Sequence, residues 1–261
     1  MVSSKRNLID DIEFKFKEHY CAFLDILGYQ EKAKLFFKKQ YNLYGRINRA
    51  MESAGVEDNP SESPDGIVTR IFSDSIILTV EKNETSLSLL LNYIGQLAAW
   101  FSYEKLYLRG GVSTGKYFED LKPNSNYSFL SSEGLIKSYQ LEQTAKYPRI
   151  LIEKNILTES LPDYWKGLII KCDSDLMLNF AMHIINEQTI NQNDVIPILE
   201  ELIDIKNSMT CNKVVEKYDW LITYYLWYIK DCQTNYGMFN MDLFKKYDLE
   251  YNSKYEFEYY G

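Results

Sequence analysis

Two aspartates in this chain have the residue context of a metal-dependent phosphoryl site. Asp25 follows the apolar run Cys21-Ala22-Phe23-Leu24, and Asp74 lies in Ile71-Phe72-Ser73-Asp74-Ser75-Ile76-Ile77-Leu78. Two carboxylates brought side by side repel each other unless a cation lies between them. Such a pair can hold two divalent cations, and two cations can carry out phosphoryl chemistry. The backbone after Asp25, Ile26-Leu27-Gly28-Tyr29, leads into a predicted helix, whose first N–H groups can face phosphate oxygens. Gly28 permits close approach there. Singly, each aspartate has a plain structural reading, because Asp is common at helix N-caps and in hairpin turns. The pair carries the chemistry only if the fold brings its members together.

The elements around them predict that it does. Tyr20–Leu24 reads as an apolar strand. Gln30–Met51 reads as one helix, with Ala33, Leu35, Phe36, Leu43 and Ile47 at helical spacing. Glu57–Asp65 is a loop marked by Asn59-Pro60 and Ser63-Pro64-Asp65-Gly66. Gly66–Phe72 and Ser75–Glu81 form a hairpin with Ser73-Asp74 at its tip. Thr85–Glu104 is a second helix, and Lys105–Ser113 a strand ending in a glycine-bearing turn. This order, strand, helix, strand, strand, helix, strand, is the split βαβ, ferredoxin-like arrangement. In it the end of the first strand and the hairpin tip are neighbours.

Further along, Tyr117–Phe129 reads as a polar loop with some strand character, Ser131–Lys146 as a helix and Arg149–Ile152 as a short strand. After about residue 155 the character changes. Gly167–Lys171 reads as an edge strand, and Val195–Asn207 and Cys211–Asp231 as helices. The last carries an apolar stripe of Val214, Tyr218, Leu221, Tyr225 and Ile229. The expected fold class is α+β: an N-terminal arm over 1–18, a ferredoxin-like core over 19–155, and a mostly helical C-terminal extension over 156–261 that packs on the core or at a dimer interface.

The bulk composition removes several alternatives. The chain has 261 residues and a net charge of −8, which disfavours a basic nucleic-acid groove. Its four cysteines, Cys21, Cys172, Cys211 and Cys232, have no zinc spacing and are expected as reduced thiols of a cytoplasmic protein. Only two histidines are present, His19 and His183, which argues against a His-based triad or a His-rich metal site. No apolar run follows the N-terminus and none is long enough to span a bilayer, so neither a leader nor a membrane segment is expected. Twenty-two tyrosines supply packing and interface area with a polar tip.

The motifs also carry a family resemblance. Phe23-Leu24-Asp25-Ile26-Leu27-Gly28-Tyr29 resembles the F-x-D-I-x-G-F motif of class III nucleotide cyclases. Phe72-Ser73-Asp74 resembles their second metal-binding aspartate, and Leu108-Arg109-Gly110-Gly111-Val112-Ser113-Thr114-Gly115 their R-x-G-I-x-x-G strand. Tyr139-Gln140-Leu141-Glu142 with Ala145-Lys146-Tyr147-Pro148-Arg149-Ile150 is similar to a stretch of the pyrimidine cyclases of bacterial Pycsar antiphage defence. Lys171-Cys172-Asp173-Ser174-Asp175 and Lys217-Tyr218-Asp219-Trp220-Leu221 resemble later motifs of that group, so the likeness spans roughly residues 20–230.

The resemblance implies Mg²⁺ or Mn²⁺, two ions, on Asp25, Asp74 and the Ile26 carbonyl. It implies nucleotide contacts from Leu27, Gly28 and Tyr29, a homodimer with shared active sites, and a separate effector protein that reads the cyclic product. Two departures from the purine enzymes matter. The base-selecting position four residues before the second aspartate is Arg70, whose donor-only guanidinium suits the O4 and O2 acceptors of uracil. An ion-paired strand residue is the other reading of Arg70. The Asn and Arg expected four apart on the following helix are missing. One register puts Ile136 and Gln140 there, the other Ser138 and Glu142. Arg109, Lys146 and Arg149 are the basic substitutes, with a structural ion pair as the alternative for Arg149 and support of the sheet edge as the alternative for Arg109. The expectation is a uridylate cyclase. The alternatives are a cytidylate or purine cyclase, or an inactive nucleotide-binding dimerisation module.

Overall fold

The computed structural model describes residues 15–55, 66–120, 129–158, 167–184, 192–237 and 239–260. The loop expected at Glu57–Asp65 and most of the expected N-terminal arm lie outside them. The fold is α+β. Its first half runs β1 (Lys17–Ile26), α1 (Tyr29–Phe37), α2 (Leu43–Ser53), β2 (Val68–Phe72), β3 (Ser75–Glu81), α3 (Ser86–Tyr103) and β4 (Leu108–Asp120). The strands lie in the order β2-β3-β1-β4, and the β2–β3, β3–β1 and β1–β4 pairs are all antiparallel. That is the split βαβ arrangement expected from the element order.

The expected single helix over Gln30–Met51 is two. Lys39 takes a left-handed φ of 59°, and the chain restarts at Asn42, whose Oδ1 accepts from Gly45 N at 3.0 Å as an N-cap. The strand expected to end near Ser113 continues to Asp120, so Gly115 lies inside a strand and not in a turn.

Beyond β4 follow β5 (Phe129–Ser132), α4 (Glu133–Thr144), β6 (Ile150–Ile152), β7 (Ile169–Cys172) and β8 (Asp175–Leu178). The chain then forms α5 (Ala181–Ile184), α6 (Gln192–Ser208), α7 (Asn212–Tyr236) and, after short 3₁₀ turns, β9 (Phe257–Tyr259). The sheet continues from β4 through β6-β8-β7-β9, with β5 paired to β4. The strand expected at an edge near Gly167–Lys171 therefore has a partner on each side, β8 and β9. No helix among the described residues is long and apolar enough to cross a membrane.

The sheet's two faces are covered differently. Tyr20, Ala22, Leu24 and Ile26 of β1 face the large core shared with α3, which buries twelve of its eighteen residues. Tyr225 Oη on α7 donates to Ser102 Oγ on α3 at 3.2 Å, joining α7 to this layer. Much of α7 is buried all round, as a helix with neighbours on every side must be. The alternate β1 residues Cys21, Phe23 and Asp25 face α4. A Cβ on Gly111 would lie 2.4 Å from Ser138 O and 2.5 Å from Leu141 Cβ, so glycine there allows α4 to lie directly on β4. Ser138 Oγ then donates to Cys21 O at 2.8 Å and locks the helix over the central strand.

Candidate active site

The two aspartates meet at one end of the sheet. Asp25 is paired across strands with Ser75 on one side and Arg109 on the other. The N–H of Ile26 donates to Asp74 O at 3.1 Å, so the residue after the first aspartate is stitched to the second. Ser73, with φ 58°, makes the tight two-residue turn that places Asp74 at the hairpin tip.

Two other carboxylates, Glu142 and Asp74, act electrostatically on Asp25. Arg109 Nη2 lies 3.2 Å from Asp25 Oδ2 and also ion-pairs with Glu142 on α4, whose side chain is almost fully buried. Asp25 is pushed up to about 6, chiefly by burial; Arg109 pulls it down, and Glu142 and Asp74 push it further up. Negative charge in the cluster thus exceeds what one guanidinium balances.

The backbone turns sharply after Asp25. Leu27 is buried and its N–H donates to Tyr107 O at 2.8 Å. Gly28 takes φ 70° and caps α1, leaving the first N–H groups of that helix beside the aspartates. The Lys32 ammonium comes back over Gly28: a Cβ added to the glycine would be 3.7 Å from Nζ. Burial holds the Lys32 pKa below its ordinary value. Tyr29 lines an apolar cleft of about 530 Å³ between α1, α2 and the β2–β3 hairpin, with Phe36, Leu43, Ile47 and Ile71 in its walls and Ser73 at its rim.

The remaining candidates sit further out. Arg70 on β2 ion-pairs with Glu119, which also accepts from Tyr117 Oη at 2.7 Å; Arg70 Nη1 is buried without a hydrogen-bond partner. Lys146 is exposed and pairs with Glu216 of α7 at 2.7 Å. Arg149 precedes β6, the strand next to β4, and is buried against Asp175 at 2.7 Å and over the Tyr147 ring. Neither Arg109 nor Arg149 is free: Arg109 is held by Asp25 and Glu142, and Arg149 one strand away by Asp175. Of the two α4 registers, Ser138 and Glu142 point into the sheet and are used in the contacts above, whereas Ile136 is exposed.

Two residues near Asp25 escaped sequence reasoning as site members. Glu142 entered only as a position in a helix register. Its signal was the face Gly134, Ser138, Glu142 at four-residue spacing, small residues leading to one acid, as a helix lying on a glycine-bearing strand requires. Lys217, on the first turns of α7, lies within electrostatic reach of Asp25, Arg109 and Glu142. No local signal connects it to residue 25.

Among the described residues no three His, Cys, Asp or Glu side chains are grouped as a metal site. The donor set still fits Mg²⁺ or Mn²⁺. Mg²⁺ characteristically takes one or two carboxylates and completes its shell with water and substrate phosphate. Burial, with Glu142 and Asp74 adding to it, disfavours the charged form of Asp25, and a divalent cation is the partner that would favour it.

No family model matches this chain, and no curated protein matches it. Solved structures do. The guanylyl cyclase Cya2 is 8% identical, with 64% of this chain and 93% of that one covered at a TM-score of 0.47. The adenylyl cyclase CyaB from P. aeruginosa is 12% identical, with 64% and 94% covered at 0.42. A bacterial light-regulated adenylyl cyclase is 12% identical, with 72% and 58% covered at 0.47.

Proposed function

We propose that the chain is a nucleotide cyclase that converts UTP to 3′,5′-cyclic UMP and pyrophosphate. The observation that carries this reading is the meeting of Asp25 and Asp74 at one sheet end, beside the glycine-capped start of α1. The ribose 3′-oxygen attacks the α-phosphorus, and the bond from that phosphorus to the bridging oxygen breaks. Pyrophosphate leaves with that oxygen, and the 3′-hydroxyl proton passes to water. Asp25, Asp74 and the Ile26 carbonyl would hold the divalent cations, which lower the pKa of the 3′-hydroxyl and neutralise the triphosphate. Arg109 fixes the Asp25 carboxylate, and Glu142 fixes Arg109 in turn. The N–H groups of α1 receive phosphate oxygens, with Leu27, Gly28 and Tyr29 forming the wall behind them.

The preference for uracil rests on Arg70. Its Nη2 is taken by Glu119, and its Nη1 is a buried donor without a partner, suited to a uracil carbonyl oxygen. A homodimer with shared sites belongs to this reading. Ile136 and Tyr139 on α4 are exposed apolar groups that a second copy would cover. The product would act as a second messenger for a separate effector in antiphage defence, in a cytoplasm that keeps the free cysteines reduced.

The test is incubation with each of the four nucleoside triphosphates and Mn²⁺, with products identified by mass. Cyclic UMP as the main product is expected; cyclic AMP or cyclic GMP alone would overturn the pyrimidine assignment. A second reading, an inactive nucleotide-binding module, draws on the α4 register, because Ser138 and Glu142 are already used in structural contacts. Nucleotide binding without any cyclic product would favour it.

A further inference from the structure

We propose that Lys217 of α7 is the cation that receives the substrate's polyphosphate, so that the C-terminal part of the chain completes the site from within the same protomer. This rests on the site being a nucleotide site, and it names the residue that recognises the anionic part of the ligand.

The argument begins with how α7 is pinned. Lys146 pairs with Glu216 at 2.7 Å, the Tyr218 ring meets Tyr107 edge-to-face at 6.3 Å, and Trp220 stacks on Tyr147 at 5.6 Å. These contacts lie on both sides of position 217. They are also next in sequence to the site, because Tyr107 is two residues before Arg109 and its carbonyl accepts from Leu27 N. The start of α7 is therefore fixed over the end of the sheet, and Lys217 is fixed with it.

The second observation concerns charge. Lys217 is half-buried, and its electrostatic neighbours are Arg109, Asp25 and Glu142 of the site and Cys211 of its own segment. Among the described residues it makes no ion pair. Arg109, in contrast, is committed to two carboxylates. A half-buried ammonium on a helix pinned beside the site, with no carboxylate of its own to pair with, is a cation available to an anionic ligand. An anion coordinated to the cations on Asp25 and Asp74 would be that ligand, and a compact ammonium binds phosphate as a point charge. Lys213, one turn earlier on α7 and exposed, lacks these neighbours.

The test is calorimetric titration of the full chain with inorganic tripolyphosphate in Mg²⁺ buffer. Lys217→Gln is expected to weaken binding about tenfold, the size of one lost charge-assisted hydrogen bond. Lys217→Arg should stay within about threefold of the parent, since the charge is kept, and Lys213→Gln should match it. The weakening should shrink as salt is raised. Equal binding by Lys217→Gln and the parent would overturn the proposal, as would no tripolyphosphate binding by the parent. If Lys217→Gln loses its thermal transition, Lys217→Met decides: a folded Lys217→Met that binds like the parent overturns the assignment. The four-nucleotide assay separates this from the cyclase reading. Weakened tripolyphosphate binding with no cyclic product from any nucleotide would sink the cyclase and keep Lys217 as the polyphosphate cation.

Discussion

The two faces of the sheet are built on opposite terms. The α3 face is several layers deep, with α3 against the strands, α7 against α3, and an aromatic cluster of Tyr147, Trp220, Tyr224, Trp227 and Phe257 extending it toward β7–β9. The α4 face is one helix deep. That helix is held by a polar set, Ser138 on Cys21 O, Ser113 on Gly134 O and Glu142 on Arg109, and it leaves Ile136 and Tyr139 exposed. The first face supplies stability through apolar burial. The second supplies position, because its polar contacts reach the carboxylate of Asp25. Damage to the first should cost folding, and damage to the second should cost chemistry.

The contrast is sharpest at the site itself. Asp74→Ala changes a hairpin tip and no core residue, so the melting temperature is expected to stay while cyclic-nucleotide formation falls by about a hundredfold or more. Product yield by chromatography checks this, and unchanged yield would remove Asp74 from the metal site.

Next come two glycines, one on each face. Gly111→Ala would drive a Cβ into α4 backbone, with Ser138 O at 2.4 Å. It is expected to destabilise by about 3 kcal/mol, and to lower activity per folded molecule by shifting Glu142 and Arg109. Gly95→Ala on α3 meets only the His183 ring, at 2.3 Å, which can turn aside. About 1 kcal/mol is expected there, with activity per folded molecule intact. Denaturant titration and normalised turnover compare the pair, and equal effects on turnover would erase the distinction between the faces.

The faces also differ in their response to pH. Burial pushes His183 down to about 4 from an ordinary 6.5, so it favours the neutral ring. Its stabilising contribution is complete above 6.5 and is lost as pH falls toward 4, by roughly 2–3 kcal/mol. Asp25, raised to about 6, has the opposite sign in metal-free protein: its contribution is complete below the ordinary carboxylate range and is lost as pH rises through 6. Thermal melts of His183→Leu and Asp25→Asn against the parent, in chelator from pH 4 to 7, should diverge at opposite ends of the range. The smallest effect is expected from Glu142→Gln, which keeps the shape of α4 but frees Arg109. A few-fold drop in turnover, with a lower apparent pH midpoint for metal binding, is the outcome to measure.

Local patterns revealed the first half of the fold because its strands are either neighbours in sequence or joined by helical segments. Ser75–Glu81 is read to the residue, and α3 within one at each end. The break between α1 and α2 was hidden because helical spacing runs on through Lys38-Lys39-Gln40 with no glycine or proline to interrupt it. Asn42 was the available cap signal. After residue 155 only the β7–β8 hairpin is local; β7 also joins β9, more than eighty residues later, and no turn chemistry marks that. The site divides in the same way. The adjacency of Asp25 and Asp74 follows from strand order alone. The approach of Glu142 and Lys217 depends on how helices settle on the finished sheet, which no local pattern encodes.

None of the nine residues of α1 is fully buried, with Tyr29, Lys32 and Ala33 only partly so, whereas α3 buries twelve of its eighteen. Local opening follows buried contact, so α1 belongs to the part of the molecule that can unfold without the rest. The segment that would receive the phosphates is therefore carried on an element with its own opening equilibrium, while Asp25 is anchored to the central strand. A ligand held by both would restrict the loose element against the fixed one, and amide exchange in α1 would slow on binding while exchange in α3 stayed as it was.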